Sequence, residues 1–151
     1  MKTTELWLRR AACWIALAGP LALLACDGTG TVTDLYINEF MADNLDYLTL
    51  EDESSPDWIE LYNGSDREVS LDGIYISDVL AAPTLWDLSL EDSIPAGGFL
   101  LLYADGETAA GHVPFRLDKG GEEMGLFQFD ANGETVTIDA VSYPSQPENQ
   151  S

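Results

Sequence analysis

Asp57-Trp58-Ile59-Glu60-Leu61-Tyr62-Asn63-Gly64 is the stretch whose reading decides the fold. A run of aromatic and apolar residues lies between Ser54-Ser55-Pro56 and the turn-forming Asn63-Gly64-Ser65-Asp66, the pattern of one short strand between turns. Side chains alternate faces along a strand, so Ile59 and Leu61 share one side while Trp58, Glu60 and Tyr62 share the other. One face is wholly apolar and needs a second layer to cover it.

The flanking sequence supplies candidates for that layer. Upstream, Leu35 to Met41 reads as a strand, followed by an acidic loop to Pro56. Downstream, Val69 and Leu71 alternate with polar neighbours, and Gly73 opens Ile74-Tyr75-Ile76. Leu85 to Leu90 places Trp86, Leu88 and Leu90 on one side against Asp87 and Ser89, which predicts another strand. The turn Ile94-Pro95-Ala96-Gly97-Gly98 delivers Phe99 to Tyr103, an unbroken apolar run expected of a strand buried on both faces. Phe115 and Leu117 mark a further short strand. Gly125 to Phe129 and Thr135 to Tyr143 flank Asp130-Ala131-Asn132-Gly133 and read as a hairpin. After residue 25 no stretch has sustained helical periodicity. Short strands joined by Gly, Pro and Asp turns predict an all-β, two-sheet sandwich.

Charge narrows the partners. The chain carries 27 acidic residues against 6 Lys and Arg, and three of those six lie in the first ten positions. With residues 1–25 removed, 26 acidic and 3 basic residues remain, a net charge of −23. Only Arg67, Arg116 and Lys119 are then left to pair with carboxylates. Nucleic-acid binding needs several Lys or Arg on phosphates, so no nucleic-acid partner is expected.

Lys2, Arg9 and Arg10 precede the apolar run Ala11 to Leu24, a basic start before a segment too short to span a bilayer comfortably. The run closes on Leu23-Leu24-Ala25-Cys26, with Leu at the third position before the cysteine and a small residue just before it. In this it resembles a bacterial lipoprotein signal. The resemblance implies cleavage after Ala25, a lipidated Cys26 as the new N-terminus, and an anchor in a membrane of the bacterial envelope. An ordinary signal peptide cleaved nearby, or an uncleaved anchor, is the alternative. Cys13 lies within the leader, so the remaining chain has one cysteine and no internal disulfide is expected. The expected organisation is a signal peptide over 1–25, a flexible tether over 26–33, a sandwich domain over 34–143 and a polar tail over 144–151.

Leu35-Tyr36-Ile37-Asn38-Glu39-Phe40, Asp57 to Asn63, and Val69 to Asp78 together resemble a lamin-tail domain of the kind found in secreted bacterial proteins. Ile94 to Phe99, Phe115 to Glu122 and Ile138 to Tyr143 extend the resemblance over nearly all of the chain beyond the tether. It implies an immunoglobulin-like β-sandwich and a binding or accessory role.

Individual residues carry less. Trp58 is read as core, with a ligand platform as the alternative. Glu60 shares the face of Trp58 and is expected to pair with Arg67 or Arg116, since a buried carboxylate requires a partner. The acidic loop offers Asp43, Asp46, Asp52 and Asp57 as oxygen ligands for calcium, against the plainer reading of a solvated loop. Asp130-Ala131-Asn132-Gly133-Glu134 fails as a calcium loop because Thr135 stands where the sixth-position glycine is needed. His112 is the only histidine and has no motif around it, and no assembled catalytic constellation is present, so no enzyme is expected. The resulting expectation is a membrane-anchored lipoprotein that presents a non-catalytic module to an envelope protein or glycan. A calcium-dependent adhesive or stabilising module is the alternative, and a hydrolase the third reading.

Overall fold

The computed structural model describes residues 31–151. The expected leader and Cys26 lie outside the described residues. Among the described residues nine strands follow in order: β1 (Leu35–Met41), β2 (Asp57–Asn63), β3 (Val69–Ser70), β4 (Ile74–Ser77), β5 (Trp86–Asp87), β6 (Ser93–Ile94), β7 (Phe99–Ala104), β8 (Gly121–Phe129) and β9 (Thr135–Pro144). β1, β2 and β7 form one antiparallel sheet with β2 at its centre. β5, β4, β8 and β9 form the other in that order, and β3 pairs with β6. This is the immunoglobulin-like all-β sandwich.

Ile59 and Leu61 are fully buried and face into the sandwich with Leu35 and Leu102, meeting Ile76, Met124 and Leu126 of the second sheet. Burying each such side chain contributes about 1.5–3 kcal/mol, so the central strand of the first sheet is a principal source of stability. Trp58 is also buried, on the opposite face, where it pairs across the strands with Met41 and Tyr103. Its indole N–H has no hydrogen-bond partner among the described residues.

Register defines two poles. Leu35 pairs with Asn63 at one end of the first sheet, and Met41 with Trp58 at the other. The chain enters at the first end, where Val32 is held by Gln128 of β8: the side-chain amide accepts from Val32 N at 2.9 Å and donates to Val32 O at 2.8 Å. The tether expected over 26–33 is therefore fixed at Val32. The far pole lies about 23 Å away, the length of a seven-residue strand. It gathers the loop from Ala42 to Pro56, the segment from Asp105 to Arg116, and the last residues of the chain. The polar tail docks there: Asn149 N donates to Asp43 O at 2.9 Å, Asn149 Oδ1 accepts from Leu45 N at 2.9 Å, and Ser151 Oγ donates to Glu39.

Two buried asparagines organise the poles. Asn63 Nδ2 donates to the carbonyls of Arg67, Ile94 and Pro95 at 2.8, 2.9 and 3.1 Å, while its Oδ1 accepts from Ser65 N and Oγ. Asn44 does the same for the acidic loop, donating to Leu48 O and Pro56 O and accepting from Tyr47 N and Leu48 N. Each side chain replaces the backbone partners that an irregular segment lacks.

Three expectations are corrected. The strand predicted over Leu85 to Leu90 stops at Asp87, whose carboxylate accepts from Ser89 N at 2.9 Å and starts a 3-10 turn, Leu88–Glu91. That turn buries Leu88 and exposes Leu90 instead of keeping them on one side. β7 is not buried on both faces: Leu102 and Ala104 are enclosed, whereas Phe99, on the face turned away from the core, is 56% exposed. Phe115 and Leu117 are buried, but their segment forms no strand and contributes only a bridge between Asp105 and Arg116.

Candidate functional site

The far pole holds an open cleft of about 420 Å³ between the acidic loop and the segment that follows β7. One wall is set by how β7 ends. Past Ala104 the chain turns at Asp105-Gly106 and runs back so that Gly111 and Val113 flank Tyr103, with Tyr103 N donating to Gly111 O at 2.8 Å and Val113 N to Tyr103 O at 2.9 Å. This brings His112 beside Asp105. The imidazole Nδ1 lies 2.7 Å from Asp105 Oδ2, and Asp105 Oδ1 accepts from Glu107 N at 3.0 Å. The ring also packs on Tyr103, with centroids 5.4 Å apart. Arg116 joins this wall from the bridge with Asp105 and forms no ion pair among the described residues.

The opposite wall is the turn from Leu50 to Ser54, closed by Leu50 N donating to Ser54 O at 2.8 Å and Glu53 N to Leu50 O at 3.0 Å. Asp52 accepts from the Ser54 hydroxyl at 2.6 Å and from Ser54 N at 3.0 Å. These two bonds, the hydroxyl first, hold the Asp52 carboxyl below its ordinary value. Ser55 Oγ pairs with Thr49 Oγ1. Both serine hydroxyls in the cleft thus have partners other than His112, and no serine–histidine hydrogen bond forms among the described residues.

The four carboxylates that the sequence offers as calcium ligands, against the plainer reading of a solvated loop, are engaged separately. Asp43 pairs with Lys119 at 3.2 Å, Asp46 accepts from Asn149 Nδ2 at 2.7 Å, Asp52 caps its own turn, and Asp57 accepts from Asn44 N at 3.0 Å. Burial pushes the Asp57 carboxyl above its ordinary value, with the Asn44 amide opposing it. Among the described residues no three His, Cys, Asp or Glu side chains converge on a position that could hold a metal ion.

Glu60 does not meet an arginine. It stands half-buried beside β1 and accepts from Asn38 Nδ2 at 2.7 Å. Water reaches it on the outer face of the sheet, so no buried countercharge is required. Asn44, Asn63 and the Asp105–His112 pair are the organising residues that sequence reading passed over. Asn63-Gly64-Ser65 carries a local signal, since asparagine accepts from the amide two residues on in turns of this kind. His112 carries none: Asp105 reaches it only because the chain doubles back beside Tyr103.

The family model described as Lamin Tail Domain matches residues 29–145. No curated protein matches the chain.

Proposed function

Because the chain belongs to the lamin tail domain family, we propose that it is a non-catalytic binding module held at a bacterial membrane through a lipidated Cys26. What supports the reading is the separation of the poles. The chain is fixed at Val32, so an anchor at Cys26 leaves residues 27–31 as tether, about 20 Å at most. The entry pole then lies next to the lipid. The cleft, the acidic loop and the docked tail sit at the other end, about 23 Å further out.

Charge sets the stance of the module. A chain with this excess of carboxylates is repelled by anionic lipid, so the domain stands off the surface on its tether. Two acyl chains make a stable anchor where one does not, and among the described residues no helix is long and apolar enough to cross a membrane. The envelope partner is a protein or a glycan, and the excess of acid excludes nucleic acid.

Metabolic labelling with an alkynyl palmitate analogue tests the anchor. Wild-type protein takes the label and Cys26→Ser does not. An unlabelled wild type, or labelling that survives the substitution, overturns the anchor while leaving the binding module standing.

A further inference from the structure

We propose that the edge of β7, from Phe99 to Leu101, is a docking site for an extended, positively charged peptide segment that adds a strand to the β1-β2-β7 sheet. The proposal deepens the binding-module reading and rests on it, but not on the lipid anchor.

The backbone geometry points to this edge. Asn63 N donates to Gly98 O at 3.0 Å, so Gly98 faces β2. With a period of two, Leu100 and Leu102 face β2 as well, and Phe99, Leu101 and Tyr103 turn their N–H and C=O groups away from it. Tyr103 confirms the alternation, because its outward N–H and C=O are both taken by the returning segment at Gly111 and Val113. Phe99 and Leu101 have no such neighbour: among the described residues β7 pairs only with β2 and, at Tyr103, with that segment. The chain therefore already occupies this edge at Tyr103, through a single parallel bridge to His112, and leaves Leu101 without a backbone partner on that side among the described residues.

The opposite edge of the sheet is treated differently. At β1, Ile37 N donates to Asp139 Oδ2 at 2.8 Å, a β-bulge falls between Ile37 and Glu39, and β9 packs alongside. Proteins usually protect an open edge with a charge, a proline or a bulge. β7 reads Phe-Leu-Leu-Leu-Tyr-Ala and has none of these.

Charge selects the occupant. Glu60 stands next to Leu101 across the strands, Glu39 stands next to Glu60, and Glu91 Oε1 accepts from Gly111 N at 2.6 Å beside the filled end of the edge. A guest carrying Lys or Arg at alternate positions meets carboxylates on the sheet face while its backbone bonds to Leu101. A second copy of this chain, with a formal charge of −21, is repelled. A glycan is the poorer fit for the same strip. The Tyr62 and Phe99 rings lie 4.8 Å apart and 31° from parallel, stacked on each other and not spread as a flat platform for sugar rings.

Fluorescence anisotropy on the full chain in mild detergent tests the proposal, with a labelled peptide alternating lysine and valine and its glutamate–valine counterpart as probes. The cationic peptide binds saturably and more weakly as salt is raised, and the acidic one does not bind. Leu101→Pro removes an outward N–H without breaking the ladder to β2, and proline is tolerated on an edge. It weakens binding about tenfold, the value of one lost backbone hydrogen bond, whereas Leu101→Ala changes it less than about threefold. Phe99→Lys, at an exposed position, provides a second variant that weakens binding by charge if the proline variant does not fold. Absence of saturable binding overturns the proposal. So does peptide affinity that both Leu101→Pro and Phe99→Lys leave unchanged, which would keep the binding module but move its site. A dimer in analytical ultracentrifugation that Phe99→Lys abolishes also overturns it, by making a second copy the occupant.

Discussion

Gln128 and Val32, 96 residues apart in the chain, bind each other in both directions through one side-chain amide. The carboxamide presents to Val32 an acceptor and a donor, as a neighbouring strand would, so the chain is fixed to β8 of the second sheet before it enters β1 of the first.

Replacing Gln128 with alanine removes both bonds and leaves Val32 to water. A net loss of about 1–2 kcal/mol is expected from two hydrogen bonds. The local signature is sharper. Amide exchange at Val32 accelerates strongly in Gln128→Ala, while Leu61 at the centre of the first sheet keeps its protection. Unchanged exchange at Val32 would show that the clamp does not hold in solution.

Asn63 is fully buried and donates to three carbonyls. Asn63→Asp keeps the shape, but an ionised carboxylate cannot donate, so it turns three hydrogen bonds into repulsions around a buried charge. The expected cost is about 3–5 kcal/mol, comparable to breaking a buried pair, and Asn63→Ala costs less because it introduces no charge. Urea unfolding of the two variants gives the order. An aspartate variant as stable as the parent would mean that the site opens to water.

The two faces of β2 respond differently to truncation. Ile59→Ala leaves a cavity in the main core and loses about 2–5 kcal/mol. Trp58→Phe keeps a ring in place and removes an N–H that is buried without a partner. Relief of that unsatisfied donor offsets part of the lost contact area, and the net change stays within about 1 kcal/mol. Chemical denaturation separates the two outcomes.

Asp57 gives a pH dependence of definite sign. Burial raises its folded-state value above that in the unfolded chain. The native state therefore favours the protonated form, and the ionised carboxylate opposes folding at neutral pH. That opposition disappears as pH falls through the folded-state value. Asp57→Asn, which can still accept from Asn44 N, melts above the parent at pH 7, and the gap narrows on acidification. A gap that widens toward low pH contradicts this account.

How far the fold can be read from the sequence depended on whether its cause was local. β1 and β2 begin and end where apolar alternation meets turn residues, and the β8–β9 hairpin closes at Asp130, which accepts from Gly133 N and donates to Glu134 O. β5 is shorter than the alternation of Trp86, Leu88 and Leu90 predicts, because that pattern says nothing of the Asp87 carboxylate. Once that group captures Ser89 N, the side chain competes with the strand for the backbone. An apolar run such as Phe99 to Tyr103 does not tell whether both faces of its strand are covered, because what packs on each face comes from the rest of the fold. The far-pole cleft was less legible still. Asp52 and Arg116 come from distant segments, and only the doubled-back chain at Tyr103 brings the Asp105–His112 pair to the same place.

The clamp at Val32 also determines how the domain meets mechanical load. Tension drawn along residues 27–31 reaches the Gln128 carboxamide on β8 before it reaches Leu35 at the start of β1. Force is thereby shared between the two sheets instead of peeling one strand from its partner bond by bond. A sandwich tugged from its entry pole behaves as a block held at two points.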